Sequence, residues 1–375
     1  AYGRGGTEPT VTDANVVLGY MPEMQRLGGD LELKRDLSRQ AVKKIADSLG
    51  KSVEDAALGI YDIVNENMVG ALRLVSVEQG HDPRDYALIA FGGAGPLHAN
   101  ALSILLGSWP SIIPPGPGVL CALGDATTAV RDESARTFIR KFSETSAKDV
   151  WKMLKDLADD AARALEREKV PRSDMRIGYQ VDIRYHGQGL QLTVNVDLAD
   201  LDKRGLRAIS EPFDEEHKRL FTFALPLEHE LVNLRAFVQG KGINIQRPVI
   251  EKGGPDPKAA AVGRQKSYMG GKAVTAIVYD RAKLKAGNKV AGPAIVMEMD
   301  STTVILPKHH GVVDKYGNIL IYPDGYRPSG KGAPKQSGRA TAKPVLAKAK
   351  AAVKAAAKAK PLARAKAKLA ARGKR

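Results

Sequence analysis

The chain has 375 residues, which is long enough for two domains with a sizeable hydrophobic core. Its formal net charge of +16 comes entirely from residues 327–375, which carry 16 Lys and Arg and no acid, so residues 1–326 are formally neutral and the usual link between high positive charge and nucleic acid applies to the last segment alone. Its single cysteine excludes an internal disulfide, and no apolar segment is long enough to predict a membrane span. We therefore expect a cytoplasmic protein.

The first third of the chain alternates between helical and strand-like patterns. In chain order the pattern predicts a loop over residues 1–30, helices over 36–50 and 52–75, a buried strand over 86–91, a helix over 96–107, then a second strand, a Pro/Gly turn and a helix start in "SIIPPGPGVLCALGDA". Alternating strands, Gly-rich loops and helices are typical of α/β folds. We therefore predict an α/β domain over residues 1–135.

The remainder of the chain has a different pattern of predicted elements. An amphipathic helix is predicted over 146–170 and a short one over 210–225, with strand-like stretches over 177–196, 229–240, 272–279, 292–307 and 317–322. These patterns predict an α+β domain over residues 136–326. Residues 327–375 contain almost no large apolar side chain and are predicted to be a disordered Lys/Ala-rich tail.

The stretch "FGGAGPLH" joins the apolar run ending at residue 91 to the predicted helix after it. Gly92, Gly93 and Gly95 allow close approach to the backbone, and a helix N-terminus favours anions, so these glycines are candidates to bind a nucleotide together with His98. They match neither the G-x-G-x-x-G fingerprint nor the P-loop. A purely structural turn and a packed histidine remain the alternatives.

The opening stretch "YGRGGTEPTVTDAN" is the second candidate site. Gly5, Gly6, Thr7 and Thr12 combine backbone access with hydroxyl groups, and Asp13 adds a carboxylate, as a magnesium-phosphate or polar-substrate site would require. Asp13 is the candidate catalytic residue. A polar loop with an aspartate helix cap explains much of the same composition.

Other residue types give weaker signals. Cys121 follows a Pro/Gly turn at an apolar helix start and is predicted to be a buried, inert thiol. No Cys/His cluster has zinc spacing and no G-x-S-x-G elbow is present, so no residue is assigned as a metal ligand or serine nucleophile.

Five motifs together resemble the hydantoinase A / 5-oxoprolinase family, which includes subunits of acetone and acetophenone carboxylases. They are "YGRGGTEPTVTDANVVLGYM", "FGGAGPLHA", "PPGPGVLCALG", "RYHGQGLQLTV" and "GPAIVMEMDSTTVILP", in family order over residues 1–323. The resemblance implies an ATPase core of the actin, Hsp70 and sugar kinase type, with ATP and Mg²⁺ as cofactors. It also implies ATP-driven ring opening of a cyclic amide or carboxylation of a ketone.

The resemblance also assigns the candidate residues. It implies that Gly92, Gly93 and Gly95 lie near the adenosine and ribose of the nucleotide, and that the opening loop faces phosphate or substrate, with Asp13 near a metal-bound water. The family's N-terminal lobe and its D-x-G-G-T-S phosphate motif do not occur in the chain. We therefore expect little or no activity without that lobe and a hydantoinase B-type partner subunit.

A second hypothesis comes from the tail. The chain is then a non-catalytic remnant or binding module, and residues 327–375 bind nucleic acid or another polyanion through counterion release.

Overall fold

The structure, a computed structural model, describes residues 1–22, 32–243 and 245–327. The predicted tail therefore lies outside the described residues except for Arg327. The helices in these ranges are α1 Val11–Val17, α2 Arg35–Leu49, α3 Val53–Leu74, α4 Gly95–Leu106, α5 Leu120–Thr127, α6 Ala147–Arg167, α7 Leu198–Arg204 and α8 Arg207–Phe221. Within the same ranges, none of the helices is long and apolar enough to cross a membrane.

Thirteen strands in the described part of the chain form three sheets. They are β1 Leu88–Ile89, β2 Ser111–Ile113, β3 Arg131–Lys141, β4 Arg176–Tyr185, β5 Leu192–Val196, β6 His229–Gln239, β7 Ala261–Met269, β8 Lys272–Asp280, β9 Lys289–Ala291, β10 Ala294–Met297, β11 Thr302–Ile305, β12 His309–Val313 and β13 Ile319–Pro323. The sheet orders are β1-β2-β13-β12-β9, β11-β10-β8-β7 and β3-β6-β4-β5.

The first sheet joins the two ends of the described chain. Strands β1 and β2 are parallel, with Leu88 opposite Ser111, and β2 pairs antiparallel with β13, with Ile112 opposite Leu320. The strand pairing therefore does not follow the predicted division at residues 135–136. Residues 131–240, which hold the whole β3-β6-β4-β5 sheet, form a unit inserted between the two chain segments of a mixed α/β body.

The α/β body, residues 1–22, 32–130, 241–243 and 245–327, is held together by helices packed on both sheets. Helix α3 begins at Ser52, whose side chain accepts the Asp55 N–H at 3.0 Å, as an N-cap does. Tyr20, Leu97 and Ile295 share one buried cluster, so the segments after α1, at the start of α4 and in β10 pack on a common core. This packing fixes the position of α4 and of the glycine loop before it.

The inserted unit has its own core. Helix α6 begins with a capping box between Ser146 and Asp149 and buries an apolar stripe on its sheet-facing side: Val150, Leu154, Leu157, Ala161 and Leu165. That stripe confirms the sequence prediction. The unit contacts the rest of the molecule where Arg219 of α8 donates to the carbonyl oxygens of Gln79 and Gly80, at 3.2 and 3.3 Å.

Some elements were not predicted from the sequence. Residues 11–17 form α1 inside the expected opening loop, because the Thr10 and Asp13 capping box stabilises a short helix there. Strand β3 was missed because charged residues dominate its exposed positions. Strands β7, β9 and β12 were also missed.

Candidate functional site

Two glycine-rich loops lie side by side at one edge of the first sheet. The first glycine loop is residues 91–95, after β1, and the second glycine loop is residues 114–119, after β2. Because β1 and β2 are parallel, both loops leave the sheet at its carboxyl end, where α/β proteins commonly bind ligands. The Gly92 N–H donates to Pro117 O at 2.6 Å and joins the loops, with Gly92 at a φ of 83° that favours glycine.

The first glycine loop presents backbone donors. Within the described part of the chain, the N–H groups of Gly93, Ala94 and Gly95 donate to no acceptor, and Gly93 and Ala94 are exposed. They lie at the N-terminus of the 12-residue helix α4, where the helix dipole favours an anion. The three N–H groups can therefore receive oxygen atoms of an anionic ligand.

A third segment packs against both loops. We name residues 298–301 the acidic loop, since it carries Glu298 and Asp300. Glu298 Oε2 accepts the Gly116 N–H at 3.1 Å and Asp300 Oδ2 accepts the Gly118 N–H at 2.8 Å. The acidic loop therefore takes up donors of the second glycine loop that would otherwise be available to an anion.

The acidic loop also contacts the first glycine loop. The Ser301 hydroxyl donates to Gly93 O at 3.1 Å. The three segments therefore form one hydrogen-bonded assembly, although 208 residues separate the two partners of this bond.

A buried ion pair supports this assembly. Arg281 Nη1 lies 2.6 Å from Glu298 Oε1, and Arg281 Nη2 donates to the carbonyl oxygens of Ile113 and Gly317, at 2.8 and 2.9 Å. Burial raises the pKa of Glu298, although the Arg281 charge and the Gly116 N–H oppose that rise. Removing one partner of such a buried pair is strongly destabilising, so the pair anchors the second glycine loop to the sheet.

A cavity of about 530 Å³ opens beside the acidic loop. Its lining is largely apolar, with side chains such as Ile250, Leu284, Val313 and Ile319, and it includes the charged groups of Arg281, Glu298 and Asp300. A mostly apolar cleft with a few fixed polar groups is typical of small-molecule sites.

His98 lies in the first turn of α4 but faces the interior. The residue is 4% exposed, its ring stacks on Tyr61 with the ring centroids 4.8 Å apart, and its Nδ1–H donates to Asn65 Oδ1 at 2.8 Å. Burial lowers the pKa of His98 to about 4, so the imidazole is neutral at pH 7. The side chain packs α4 against α3, and its position suits support of the glycine loop better than direct contact with a ligand.

Asp13 is also buried, at 3% exposure, with several polar partners. It accepts hydrogen bonds from the Thr10 N–H and hydroxyl, at 2.9 and 2.7 Å, from the Ser38 hydroxyl at 2.8 Å, and from the Ala1 amino group. Burial opposes ionisation of the Asp13 carboxyl, but these hydrogen bonds outweigh it and hold its pKa below the usual range. Asp13 thus caps α1 and ties it to α2.

The remaining residues of the predicted opening site lie near the surface. Gly5, Gly6 and Thr7 are exposed, Thr12 is partly buried, and Lys44 on α2 donates to Thr7 O at 2.9 Å. No hydrogen bond or ion pair within the described part of the chain joins this loop to the glycine loops. The structure groups Gly92, Gly93 and Gly95 in one place and the opening loop in another.

Two further observations concern the sequence predictions. Cys121, predicted to be buried, is exposed on α5, because this short helix has no buried face in the described structure. Across the described residues, no group of three or more His, Cys, Asp or Glu side chains is arranged to hold a metal ion.

Sequence prediction missed Arg281, Glu298 and Asp300. Their motif "GPAIVMEMDSTTVILP" resembles a family motif but indicates no role for its acids. The only available signal was that this motif and "PPGPGVLCALG" both resemble motifs of the same family.

Comparison with known proteins agrees with this architecture. The Hydantoinase/oxoprolinase family model matches residues 1–134, and the Hydantoinase/oxoprolinase C-terminal domain model matches residues 138–321. The chain belongs to the hydantoinase/oxoprolinase family. The two matches meet close to the predicted division at residues 135–136, although the strand pairing crosses it.

Individual relatives are similar over most of this chain. Caprolactamase subunit alpha of Pseudomonas jessenii is 35% identical over 86% of the chain and 47% of its own length. The acetophenone carboxylase gamma subunit of Aromatoleum aromaticum is 31% identical over 85% of the chain and 45% of its own length. The chain therefore spans about half the length of these relatives.

A solved structure is also similar to most of this chain and is matched over about half of its own length. The crystal structure of ATP-dependent caprolactamase from Pseudomonas jessenii matches with a TM-score of 0.74 and 31% identity, over 87% of this chain and 48% of that one.

Proposed function

We propose that the chain is the nucleotide-binding part of an ATP-dependent enzyme that opens a cyclic amide. The observation that carries this proposal is that the N–H groups of residues 93–95 donate to no acceptor within the described residues. They lie at the N-terminus of α4 in a chain of this family. These donors fit phosphate oxygens of ATP, so we place the phosphates here, where the family resemblance implies the adenosine and ribose of the nucleotide. The cyclic amide class follows from similarity to caprolactamase, whose solved structure is described as ATP-dependent.

Each candidate residue has a role in this proposal. The amides of Gly93 and Gly95 bind the nucleotide, Gly92 sets the turn that exposes them, and His98 holds α4 in position. Asp13 holds the opening loop, whose Gly5, Gly6, Thr7 and Thr12 would face phosphate or substrate. Mg²⁺ would accompany ATP, and its ligands would come from the phosphates and water.

We also propose that this chain acts with other protein parts. The α/β body would be one lobe of an actin-like ATPase, and activity would require a second lobe carrying the phosphate motif and a hydantoinase B-type subunit. Support comes from the half-length match and from relatives described as alpha and gamma subunits. Similarity to acetophenone carboxylase gamma subunit makes carboxylation of a ketone the other reaction of this class to assay.

The nucleotide site is tested by titrating the 375-residue chain with ATP. Binding is measured by saturation-transfer NMR, which detects weak binding. Gly93→Val places a branched side chain over the free amides, and we expect affinity for ATP to fall about tenfold or more. Gly254→Val, at an exposed loop glycine with no atom within 4 Å of its Cβ position, is the matched control. Absence of ATP binding by the wild-type chain would contradict the proposal.

The reaction is tested with the chain expressed together with the amino-terminal half of caprolactamase subunit alpha and a hydantoinase B-type subunit. We expect ATP-dependent ring opening of a lactam or hydantoin by the three parts together, and none when any one of them is left out. ATP-dependent carboxylation of a ketone by the same assembly, with no ring opening, would favour the carboxylase reaction instead.

The basic segment supports a second candidate function. The 16 Lys and Arg of residues 327–375 would bind nucleic acid or another polyanion, with affinity falling as salt rises. DNA binding is compared between the full chain and a chain ending at residue 326, over 50 to 200 mM salt. Equal binding by both chains would exclude the segment as the binding site.

A further inference from the structure

Asp300 holds a fixed carboxylate between the two glycine loops. Its Oδ2 accepts the Gly118 N–H at 2.8 Å, whereas its Oδ1 accepts no hydrogen bond within the described residues. The neighbouring Ser301 hydroxyl donates to Gly93 O at 3.1 Å and so ties the acidic loop to the first glycine loop. Asp300 also borders the cavity of about 530 Å³.

Gly118 permits this close approach. A Cβ added at Gly118 would lie 2.7 Å from Asp300 Oδ2, 2.8 Å from its Cβ and 2.9 Å from its carbonyl oxygen, all shorter than normal contacts. Only glycine therefore lets the backbone at 118 and the acidic loop meet. The carboxylate is thus held in one place instead of moving freely on the surface.

The charge of this carboxylate limits what it can contact. Phosphate oxygens would be repelled by Asp300, and the N–H groups of Gly116 and Gly118 already donate to acidic-loop carboxylates. A neutral hydroxyl group would instead donate to the free Oδ1 as a charge-assisted hydrogen bond. A ligand with its anionic part at residues 93–95 would therefore place an uncharged, hydroxyl-bearing part beside the second glycine loop.

We propose that Asp300 is a specificity-determining residue that accepts a hydrogen bond from a sugar hydroxyl of the bound nucleotide. The inference rests on the proposed nucleotide site and adds to it the group that distinguishes ribonucleotides from deoxynucleotides. The phosphates lie at the amides of residues 93–95, the sugar lies against Asp300, and the cavity beside Asp300 leaves room for the rest of the nucleoside.

The test compares the affinities of ATP and 2′,3′-dideoxy-ATP for the same chain. The wild-type chain should bind ATP about tenfold more tightly, as expected for a hydrogen bond to a charged group. Asp300→Asn, whose amide oxygen can still accept the Gly118 N–H, and Asp300→Ala should both reduce this ratio to about two or less. Asp125→Asn, an exposed aspartate on α5 with the same charge change, should leave the ratio at the wild-type value.

Thermal unfolding of each variant shows that it is folded before the titrations are compared. A wild-type ratio near one, or an unchanged ratio in both Asp300 variants, would overturn the role of Asp300 and leave the nucleotide site standing. Failure of the wild-type chain to bind either nucleotide would overturn both the nucleotide site and the role of Asp300.

Discussion

Gly118 and Asp300 are so close that a single added methyl group tests the assembly. Gly118→Ala would place its Cβ within 2.9 Å of three Asp300 atoms, so the acidic loop must move. We expect the free energy of unfolding to fall by about 1–3 kcal/mol and ATP affinity to fall with it. Urea unfolding and ATP titration measure the two effects.

Gly124→Ala is the matched control for this substitution. Gly124 lies six residues away on α5 with no atom within 4 Å of its Cβ position, so alanine there should be neutral or slightly stabilising. Equal stability of the two variants would show that the acidic loop yields without cost.

His98 makes stability depend on pH with a definite sign. Its pKa in the folded protein, about 4, lies below the ordinary value of 6.5, so protonation favours the unfolded chain. This contribution to stability is complete above pH 6.5 and is lost as the pH falls toward 4, by up to about 3 kcal/mol. Urea unfolding at a series of pH values measures it.

The comparison variant is His98→Gln, which does not titrate. The advantage of the wild type over this variant should shrink as the pH falls from 6.5 to 4. Burial and the charge of Glu66 raise the pKa of Asp62 to about 6, which has the opposite sign, but this term is common to both proteins. Parallel stability curves for the two proteins would contradict the expected shift.

Helix α6 is the element on which the inserted unit packs, and its first turn depends on Ser146. The Ser146 hydroxyl caps the Asp149 N–H at 3.2 Å, and Asp149 Oδ2 accepts the same hydroxyl at 2.6 Å. Ser146→Ala should lower the free energy of unfolding by about 1 kcal/mol. The exposed Lys148→Ala is the control, and a loss of equal size in both variants would exclude the cap as the cause.

Elements with a strong local pattern were predictable from the sequence. Helices α3 and α6 follow from their capping residues and apolar stripes, α4 follows from Pro96 in its first turn and its apolar composition, and strand β6 follows from its β-rich composition. Strand β3 was not predictable, because its partner strand β6 lies about 100 residues further along the chain and its own exposed side chains are largely charged.

The same distinction between local and long-range features applies to the candidate site. The glycine cluster at 92–95 was found because turn and helix start are local signals. The acidic loop was missed because the bonds that bring it to the second glycine loop join residues 182 apart. The residue pattern within one stretch of sequence gives no information about contacts between residues so far apart in the chain.

At the scale of the whole molecule, the inserted unit touches the α/β body through few contacts. One of these contacts is made by the Arg219 guanidinium, which is oriented by Glu216 and donates to the carbonyl oxygens of Gln79 and Gly80. Arg219→Ala should therefore widen the range of relative positions of the two parts. The measurement is the distance distribution between spin labels at the exposed Cys121 and at a cysteine introduced by Lys148→Cys.

Arg163→Ala provides the control for this measurement. Arg163 lies on α6 in the same unit and pairs with Asp160 of its own helix, so its loss should leave the distribution unchanged. Identical distributions for the wild type and Arg219→Ala would show that other contacts hold the unit in place.

The pairing of β2 with β13 determines the order in which the site can form during synthesis. The glycine loops leave the ribosome first, because the strand that supports β2 and the acidic loop that fixes both loops are made about 200 residues later. Until then the α/β body is an incomplete sheet with an unpaired edge, the kind of surface that chaperones cover. Cotranslational folding should therefore begin with the inserted unit, whose sheet and helices are contiguous in sequence, before the nucleotide site is completed.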